Sequence, residues 1–166
     1  MNDAAIRSWL VGRIPQGWYT EPPEVLVDRD EILVIGRVPD VAGEGIDLAA
    51  ARDGRARQHR EDTRTERMRI ADEARAQFGR HLSWGVRVGD TGQLFTHLAL
   101  PVMTRLRIRE RQLLDRLVAA GVVQNRAQAL AWCVKLVTQH QAEWLKDLDE
   151  AMRHVQQVRE QAPKLH

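Results

Sequence analysis

The sequence of 166 residues has one cysteine and no long apolar run, and each of these shortages excludes a class of protein. Its one cysteine, Cys133, cannot form a disulfide within the chain, which excludes a disulfide-stapled secreted fold. No apolar run approaches the roughly 20 residues that a membrane-spanning helix needs. The first residues have no basic segment ahead of their apolar part, unlike a secretory signal. We therefore expect a cytoplasmic protein.

Recognisable catalytic and metal-binding motifs are also missing. The six histidines have no metal-ligand spacing, and the chain has no glycine-rich phosphate loop or nucleophile elbow. The tripeptide Asp90-Thr91-Gly92 matches that of dimeric aspartic proteases. Gly89, however, stands where that family has an apolar residue, and a tight turn explains all of these residues. We therefore expect no enzyme activity, no cofactor and no metal site.

Arginine supplies nearly all of the positive charge, because lysine occurs only three times. The formal net charge is +2, but it is unevenly distributed along the chain. Residues 1–50 carry −5, residues 51–82 carry +3 and residues 102–126 carry +4. Because phosphate binding depends on the local field, the last of these clusters is the candidate for nucleic-acid binding. The acidic first segment would repel DNA and favours a protein partner.

The first half of the chain predicts an α+β module. Asp3 is suited to cap a helix over residues 4–14, whose apolar residues recur at helical spacing. Two apolar runs joined by a polar turn predict a β-hairpin over residues 24–38, and their continuous apolarity predicts that both of its faces are covered. Trp18 and Tyr19, in the intervening loop, are expected to cover the edge of the core. The apolar face of the helix consists of Ile6, Trp9, Leu10 and Ile14.

The middle of the chain predicts a linker, a long helix and a second hairpin. Residues 39–54 are rich in glycine and small or acidic residues, as linkers are. Residues 55–81 are densely charged with one thin apolar stripe, which predicts a long solvated helix. A hairpin is predicted over residues 86–100. The predicted domains are an N-terminal helix and β-hairpin module with linker (1–54), a long charged helix and second β-hairpin (55–101), and a helical unit (102–166).

In residues 103–137, charge, periodicity and capping agree on one function. Leu106 and Ile108 share one face of a predicted short strand, and arginines share the other. A lone strand cannot satisfy its backbone groups, whereas pairing with the same strand of a second chain would do so. The resulting ribbon would expose arginines to a DNA major groove, in which arginine binds guanine bidentately. The arginines of that face are Arg105, Arg107 and Arg109.

Two helices are predicted after this strand. The first helix covers about residues 110–120 and ends at Gly121, where the helical repeat of apolar residues stops. Asn125 is a favourable N-cap for the second. Arg126 lies beside that N-terminus, where unpaired N–H groups and the helix dipole attract phosphate. The apolar residues of the first helix are Leu113, Leu114, Leu117 and Val118.

This pattern resembles the ribbon–helix–helix DNA-binding family, of the Arc and MetJ repressor type, over about residues 103–140. The resemblance is closest in the turn and second helix, LVAAGVVQNRAQALAWCVKLV, although Asn125 and Ala127 stand where that family often has serines. It implies a homodimeric transcriptional regulator that binds DNA. The implied base contacts are Arg105 and Arg107, the implied phosphate contacts are Asn125, Arg126 and Arg109, and the implied dimer core is Leu106, Ile108, Leu113, Leu117, Leu130 and Val134. The whole chain also resembles uncharacterised conserved actinobacterial proteins, which implies no function.

Two alternatives stay open at this point. In a second register, residues 94–100 form the ribbon strand with Phe95, His97 and Ala99 outward, and Pro101 opens a longer first helix. In the other alternative, the segment is a protein-interaction or dimerisation scaffold that does not bind DNA. In either case the last helix is predicted to extend to about residue 160, with an apolar seam that could join two copies or dock on the N-terminal module.

Overall fold

The chain divides into two compact units, residues 1–101 and 102–166, in the computed structural model. The structure describes residues 3–96 and 98–160. The helices and strands in these residues form a mixed α and β architecture, so the predicted α+β class is confirmed. No helix among the described residues is long and apolar enough to cross a membrane. In chain order the elements are α1 (Asp3–Arg13), β1 (Glu24–Val27), β2 (Glu31–Val38), α2 (Leu48–Asp62), α3 (Arg64–Phe78), β3 (His81–Val88), β4 (Thr91–Leu94), α4 (Ile108–Ala119), α5 (Arg126–His140) and α6 (Ala142–Glu160).

The first unit is built on a four-stranded mixed sheet with the order β1-β2-β3-β4. Both hairpins are antiparallel, and β2 and β3 join them in parallel, from Glu31 opposite His81 to Val38 opposite Val88. A parallel pair requires a crossover connection, which α2 and α3 supply. The predicted domain boundary after residue 54 falls inside α2, and the sheet joins the two predicted segments into one unit.

The core of this unit lies against one face of the sheet. Side chains along β2 alternate between buried and half-buried. The buried side chains of β2 form one hydrophobic cluster with the buried residues of α1, α2 and α3. Trp18 and Tyr19 pack against this cluster, as the sequence predicts. On the other face, Leu26 is 50% exposed and Leu94 38% exposed. The prediction that both faces of the first hairpin are covered is therefore wrong, because the helices share one side.

The predicted long helix over residues 55–81 is two helices, broken at Thr63. The predicted linker is also shorter, because Asp47 caps α2 through two backbone N–H groups and the helix begins at Leu48. At the break, the Thr63 hydroxyl donates to the His59 carbonyl oxygen at 2.6 Å. A threonine that bonds back to the preceding turn competes with the helical ladder and bends the helix. Neither glycine nor proline marks this position in the sequence.

The second predicted hairpin forms, but on earlier residues than expected. β3 begins at His81 and β4 ends at Leu94. Gly89 makes the turn with a positive φ of 56°, and the side chain of Asp90 beside it is fully exposed. This arrangement fits a turn and not the buried pair of carboxylates of an aspartic protease.

Candidate nucleic-acid interface

The arginine-rich segment of the second unit lies immediately before α4 and has no regular secondary structure in the single chain. Arg105 and Arg107 are exposed there, and the backbone of Arg107 is extended, with φ −80° and ψ 177°. Among the described residues, the backbone of residues 102–106 makes no hydrogen bond to another backbone group. The Leu106 carbonyl oxygen accepts a hydrogen bond from the Arg111 guanidinium at 2.8 Å. The N–H groups of the segment are placed for a second strand to satisfy.

α4 begins earlier than predicted and takes two residues from the predicted strand. Ile108 and Arg109 lie in its first turn, which the bond from the Arg111 N–H to the Arg107 carbonyl closes at 3.1 Å. The alternation expected of residues 104–109 therefore stops at Arg107. Consequently Arg109 does not share a strand face with Arg105, and Ile108 contributes to a helix surface.

The alternative register over residues 94–100 is wrong. The chain after β4 stays attached to β3, because the Phe95 N–H donates to the Trp84 carbonyl oxygen at 2.7 Å and the Phe95 side chain is buried. Residues 101–107 are not helical, so Pro101 does not open a longer first helix. Of the other outward residues of that register, Ala99 is exposed, and His97 lies outside the residues that the structure describes.

Asn125 is the N-cap of α5, as predicted. Its side-chain oxygen accepts a hydrogen bond from the Gln128 N–H at 2.9 Å, and the Gln128 side chain accepts one from the Gln124 N–H at 2.9 Å. This reciprocal arrangement is of the capping-box kind. The N–H groups of Arg126 and Ala127 have no acceptor within the described part of the chain. They lie at the positive end of the helix dipole, where an anion can bind.

Arg126, a predicted phosphate contact, is engaged within the unit. Its guanidinium donates to both carboxylate oxygens of Asp115, at 2.7 and 2.8 Å. The hydrogen bond from Arg126 is the main cause that lowers the pKa of the Asp115 carboxyl. Both side chains are about half exposed, so water and salt screen the pair. A phosphate that uses Arg126 must therefore compete with this carboxylate.

The six predicted dimer-core residues are incompletely buried in the single chain. Three of them are more than half exposed and three are half-buried. Among the described residues of the second unit, only Leu114 and Ala129 are buried hydrophobic residues. Small folding units bury a smaller share of their apolar surface than large ones do, and this unit leaves most of its large apolar side chains exposed in the single chain. The more exposed three are Ile108 (62%), Leu113 (51%) and Val134 (61%), and the half-buried three are Leu106, Leu117 and Leu130.

The sequence does not reveal a buried cationic and aromatic cluster in the first unit. Arg67 is only 6% exposed, and its guanidinium carbon lies 4.8 Å from the centre of the Phe95 ring. Arg67 also donates to the Thr63 hydroxyl at 2.9 Å. Burial raises the pKa of the Tyr19 hydroxyl, and burial together with Arg67 lowers the pKa of His59. Tyr19 and Phe95 are distant in sequence from His59, Thr63 and Arg67, and no local pattern connects the two sets.

The residues named in this cluster include one histidine and no cysteine or carboxylate. Within residues 3–96 and 98–160, no group of three or more histidine, cysteine or carboxylate side chains could hold a metal ion. Next to it, Trp18 and His59 help to line a surface depression of about 260 Å³. The rings of Trp18 and His59 lie 6.1 Å apart, edge to face, as packed aromatic side chains do in a core. The depression therefore follows from the packing at the edge of the core.

Comparison with known proteins relates both units to mycobacterial proteins. The family described as "Rv1265-like protein, N-terminal domain" matches residues 4–94, and that described as "Mb1296 C-terminal domain" matches residues 107–159. The chain is 52% identical over 157 residues to "Uncharacterized protein Mb1296" of Mycobacterium bovis and to "Uncharacterized protein Rv1265" of Mycobacterium tuberculosis. Each match covers 95% of this chain and 70% of the relative. No ribbon–helix–helix family matches, and neither does any solved structure. The resemblance to uncharacterised conserved actinobacterial proteins is thereby confirmed.

Proposed function

We propose that this chain, which belongs to the family of Rv1265-like proteins, is a dimeric DNA-binding protein that acts as a transcriptional regulator. One observation carries the proposal. An arginine-bearing segment, whose residues 102–106 make no backbone-to-backbone hydrogen bond, directly precedes two helices whose apolar faces are exposed. Pairing with a second copy would satisfy the segment and cover the helices at the same time.

The paired segments would form a two-stranded ribbon of residues 104–107. Side chains alternate along a strand, so Arg105 and Arg107 would face outward while Leu106 faced the helices. Leu106 is already half-buried, and both arginines are exposed. A ribbon of this width fits a major groove, and arginine binds the O6 and N7 atoms of guanine with two hydrogen bonds.

The residues around the ribbon would bind the phosphate backbone. Residues 102–126 carry six arginines against two acids, so the local charge is +4. The N–H groups of Arg126 and Ala127 would bind one phosphate, and the Asn125 side chain would stabilise the N-terminus of α5 by capping it. Arg109, exposed in the first turn of α4, would contact a second phosphate. These contacts set affinity, whereas the two ribbon arginines set sequence preference.

The test uses the purified full chain and DNA selected from a random pool. Affinity, measured by fluorescence anisotropy, should fall by about 0.9 log units per log unit of salt for each phosphate neutralised. Arg105→Ala with Arg107→Ala should abolish the preference for selected over random DNA while leaving the dimer intact. The matched control is Arg64→Ala with Arg75→Ala, which removes two exposed arginines from α3. A wild-type dimer without salt-sensitive DNA affinity would refute the proposal, and so would a stable monomer.

A second candidate function is a protein-interaction or dimerisation scaffold without DNA binding. The observation in its favour is that Asp115 already neutralises Arg126, one of the six arginines of the basic cluster. The exposed apolar faces of α4 and α5 would serve a scaffold as well as a regulator. This function predicts that self-association persists in the Arg105→Ala, Arg107→Ala variant. It also predicts that the wild-type chain has no measurable DNA affinity at low salt.

A further inference from the structure

α6, the nineteen-residue helix Ala142–Glu160, has an apolar seam along one side. The seam residues recur at spacings of three and four, which is the repeat that packs one helix against another. Leu145 is half-buried, but the other seam residues are strongly exposed. The exposed ones are Trp144 (58%), Leu148 (43%), Met152 (62%), Val155 (48%) and Val158 (54%).

We infer that α6 pairs in antiparallel orientation with α6 of a second copy of this chain. This pair is an interface separate from the proposed ribbon, and it involves no residue of the basic cluster. It goes beyond the proposed function, because it assigns a partner to a segment that DNA binding does not use.

The charge pattern of α6 identifies a second copy as the partner. Its first half, residues 142–150, has four carboxylates against one lysine, and its second half, residues 151–158, has one arginine and no carboxylate. The two halves therefore carry −3 and +1. In an antiparallel pair each acidic half lies beside a basic half, whereas a parallel pair sets like charges side by side. A partner with charge of one sign would complement only one half.

The seam also fixes the register of the pair. Leu145, Leu148, Met152 and Val155 follow the alternating three- and four-residue steps of a and d positions, and their midpoint lies at residue 150. With a two-fold axis there, Leu148 contacts Met152 of the second copy, and Leu145 contacts its Val155. The first pair lies near the axis and the second towards the two ends, so every a or d residue finds an apolar neighbour.

The apolar area is sufficient for a specific contact. From the exposed fractions of the seam residues, covering both seams would remove on the order of 1,000 Å² from water, which is about the lower limit for a specific protein interface. Most of the stability of an amphipathic helix in a protein comes from the packing of its apolar face. The pair would therefore both stabilise α6 and join two chains.

Disulfide trapping tests the orientation. In a Cys133→Ala background, one tagged chain carries Leu145→Cys and a co-expressed, differently tagged chain carries Val155→Cys. Oxidation of the antiparallel pair should give at least about five times more mixed dimer than either homodimer. Predominant homodimers would indicate a parallel pair, and the absence of any cross-link would indicate that α6 docks elsewhere. Either result overturns the inference. Glu150→Cys, on the opposite side of the helix, is the control and should not cross-link.

A second measurement tests the energetics. Leu148→Glu with Met152→Glu should weaken self-association at least tenfold in sedimentation equilibrium, because it buries like charges in the seam. Gln157→Glu adds a carboxylate to the outer side of α6 and should have little effect. Unchanged self-association of the double variant would overturn the inference. The proposed function is tested apart from this: DNA affinity without the α6 cross-link refutes only the helix pair, and the cross-link without DNA affinity refutes only DNA binding.

Discussion

Gly36 and Tyr19 provide the most demanding test of the first unit. Gly36 lies on the buried face of β2, between Val34 and Val38, but it has no side chain that could fill the core there. The Tyr19 ring occupies that space. A Cβ added at Gly36 would overlap three carbon atoms of the ring. Gly36→Ala must therefore displace the ring.

The expected cost follows from what the ring would lose. Overfilling a packed site costs about 1–3 kcal/mol. The Tyr19 ring also lies 6.3 Å from the Trp18 ring and 5.6 Å from the His59 ring, and aromatic contacts of this kind contribute about 0.5–1.5 kcal/mol each. We expect Gly36→Ala to lower the free energy of unfolding by about 3 kcal/mol. For a unit of this size, the Tm would fall by roughly 12–24 °C.

The matched control is the same substitution at Gly12, in α1. A Cβ there has no atom within 4 Å, and alanine favours a helix over glycine by about 1 kcal/mol. Gly12→Ala should therefore raise the Tm of the first unit. Scanning calorimetry of the full chain measures both changes. The unfolding transition whose Tm falls in Gly36→Ala and rises in Gly12→Ala is that of the first unit.

A double-mutant cycle decides whether the ring causes the effect. In a Tyr19→Ala background, Gly36→Ala should cost almost nothing, because the space is vacant. A cost below about 0.5 kcal/mol in the wild-type background, or an equal cost in both backgrounds, would refute the packing of Tyr19 on Gly36.

The remaining predictions concern a histidine and a helix cap. The free energy of unfolding should fall as the pH drops from about 6.5 towards 5, because burial and Arg67 keep the pKa of His59 low in the folded chain and the proton binds preferentially to the unfolded chain. Urea titrations of wild type and His59→Gln measure this, and an identical pH slope in the two would contradict it. Asn125→Ala should cost about 1 kcal/mol in the second unit, because the Gln128 N–H loses its acceptor. Circular dichroism measures the change, with Asn125→Ser expected near wild type.

Local patterns in the sequence predict the parts of the fold whose partners are near in the chain. α1 forms because its apolar residues repeat with the helical period, and Ile6 and Leu10 of that face are buried. The first hairpin forms where two apolar runs flank a polar turn, and the Asp28 carboxylate organises the turn by accepting the N–H groups of Asp30 and Glu31. The cap of α5 is predictable for the same reason, since Asn125 and Gln128 are three residues apart.

Features that depend on distant partners could not be predicted in this way. The parallel register of β2 and β3 joins residues fifty apart, such as Ile32 and Leu82, and no turn between them specifies it. At the break, Arg67 donates to the Thr63 hydroxyl, and its guanidinium lies 4.8 Å from the centre of the Phe95 ring, which belongs to a segment distant in sequence. At the candidate interface, Asp115 lies on α4 and Arg126 on α5, so their pairing depends on how the two helices pack.

The second unit differs because the sequence pattern of its helices describes apolar faces that stay exposed in the single chain. Periodicity indicates that a face will be buried, but it does not indicate by which chain. In the described part of the first unit, fourteen buried hydrophobic residues form one core, whereas two are buried in the second unit. The apolar faces of α4, α5 and α6 are each regular enough to be core. A single chain of an obligate oligomer would expose apolar faces of this kind. If these faces pair between chains, the stability of this unit should depend on protein concentration.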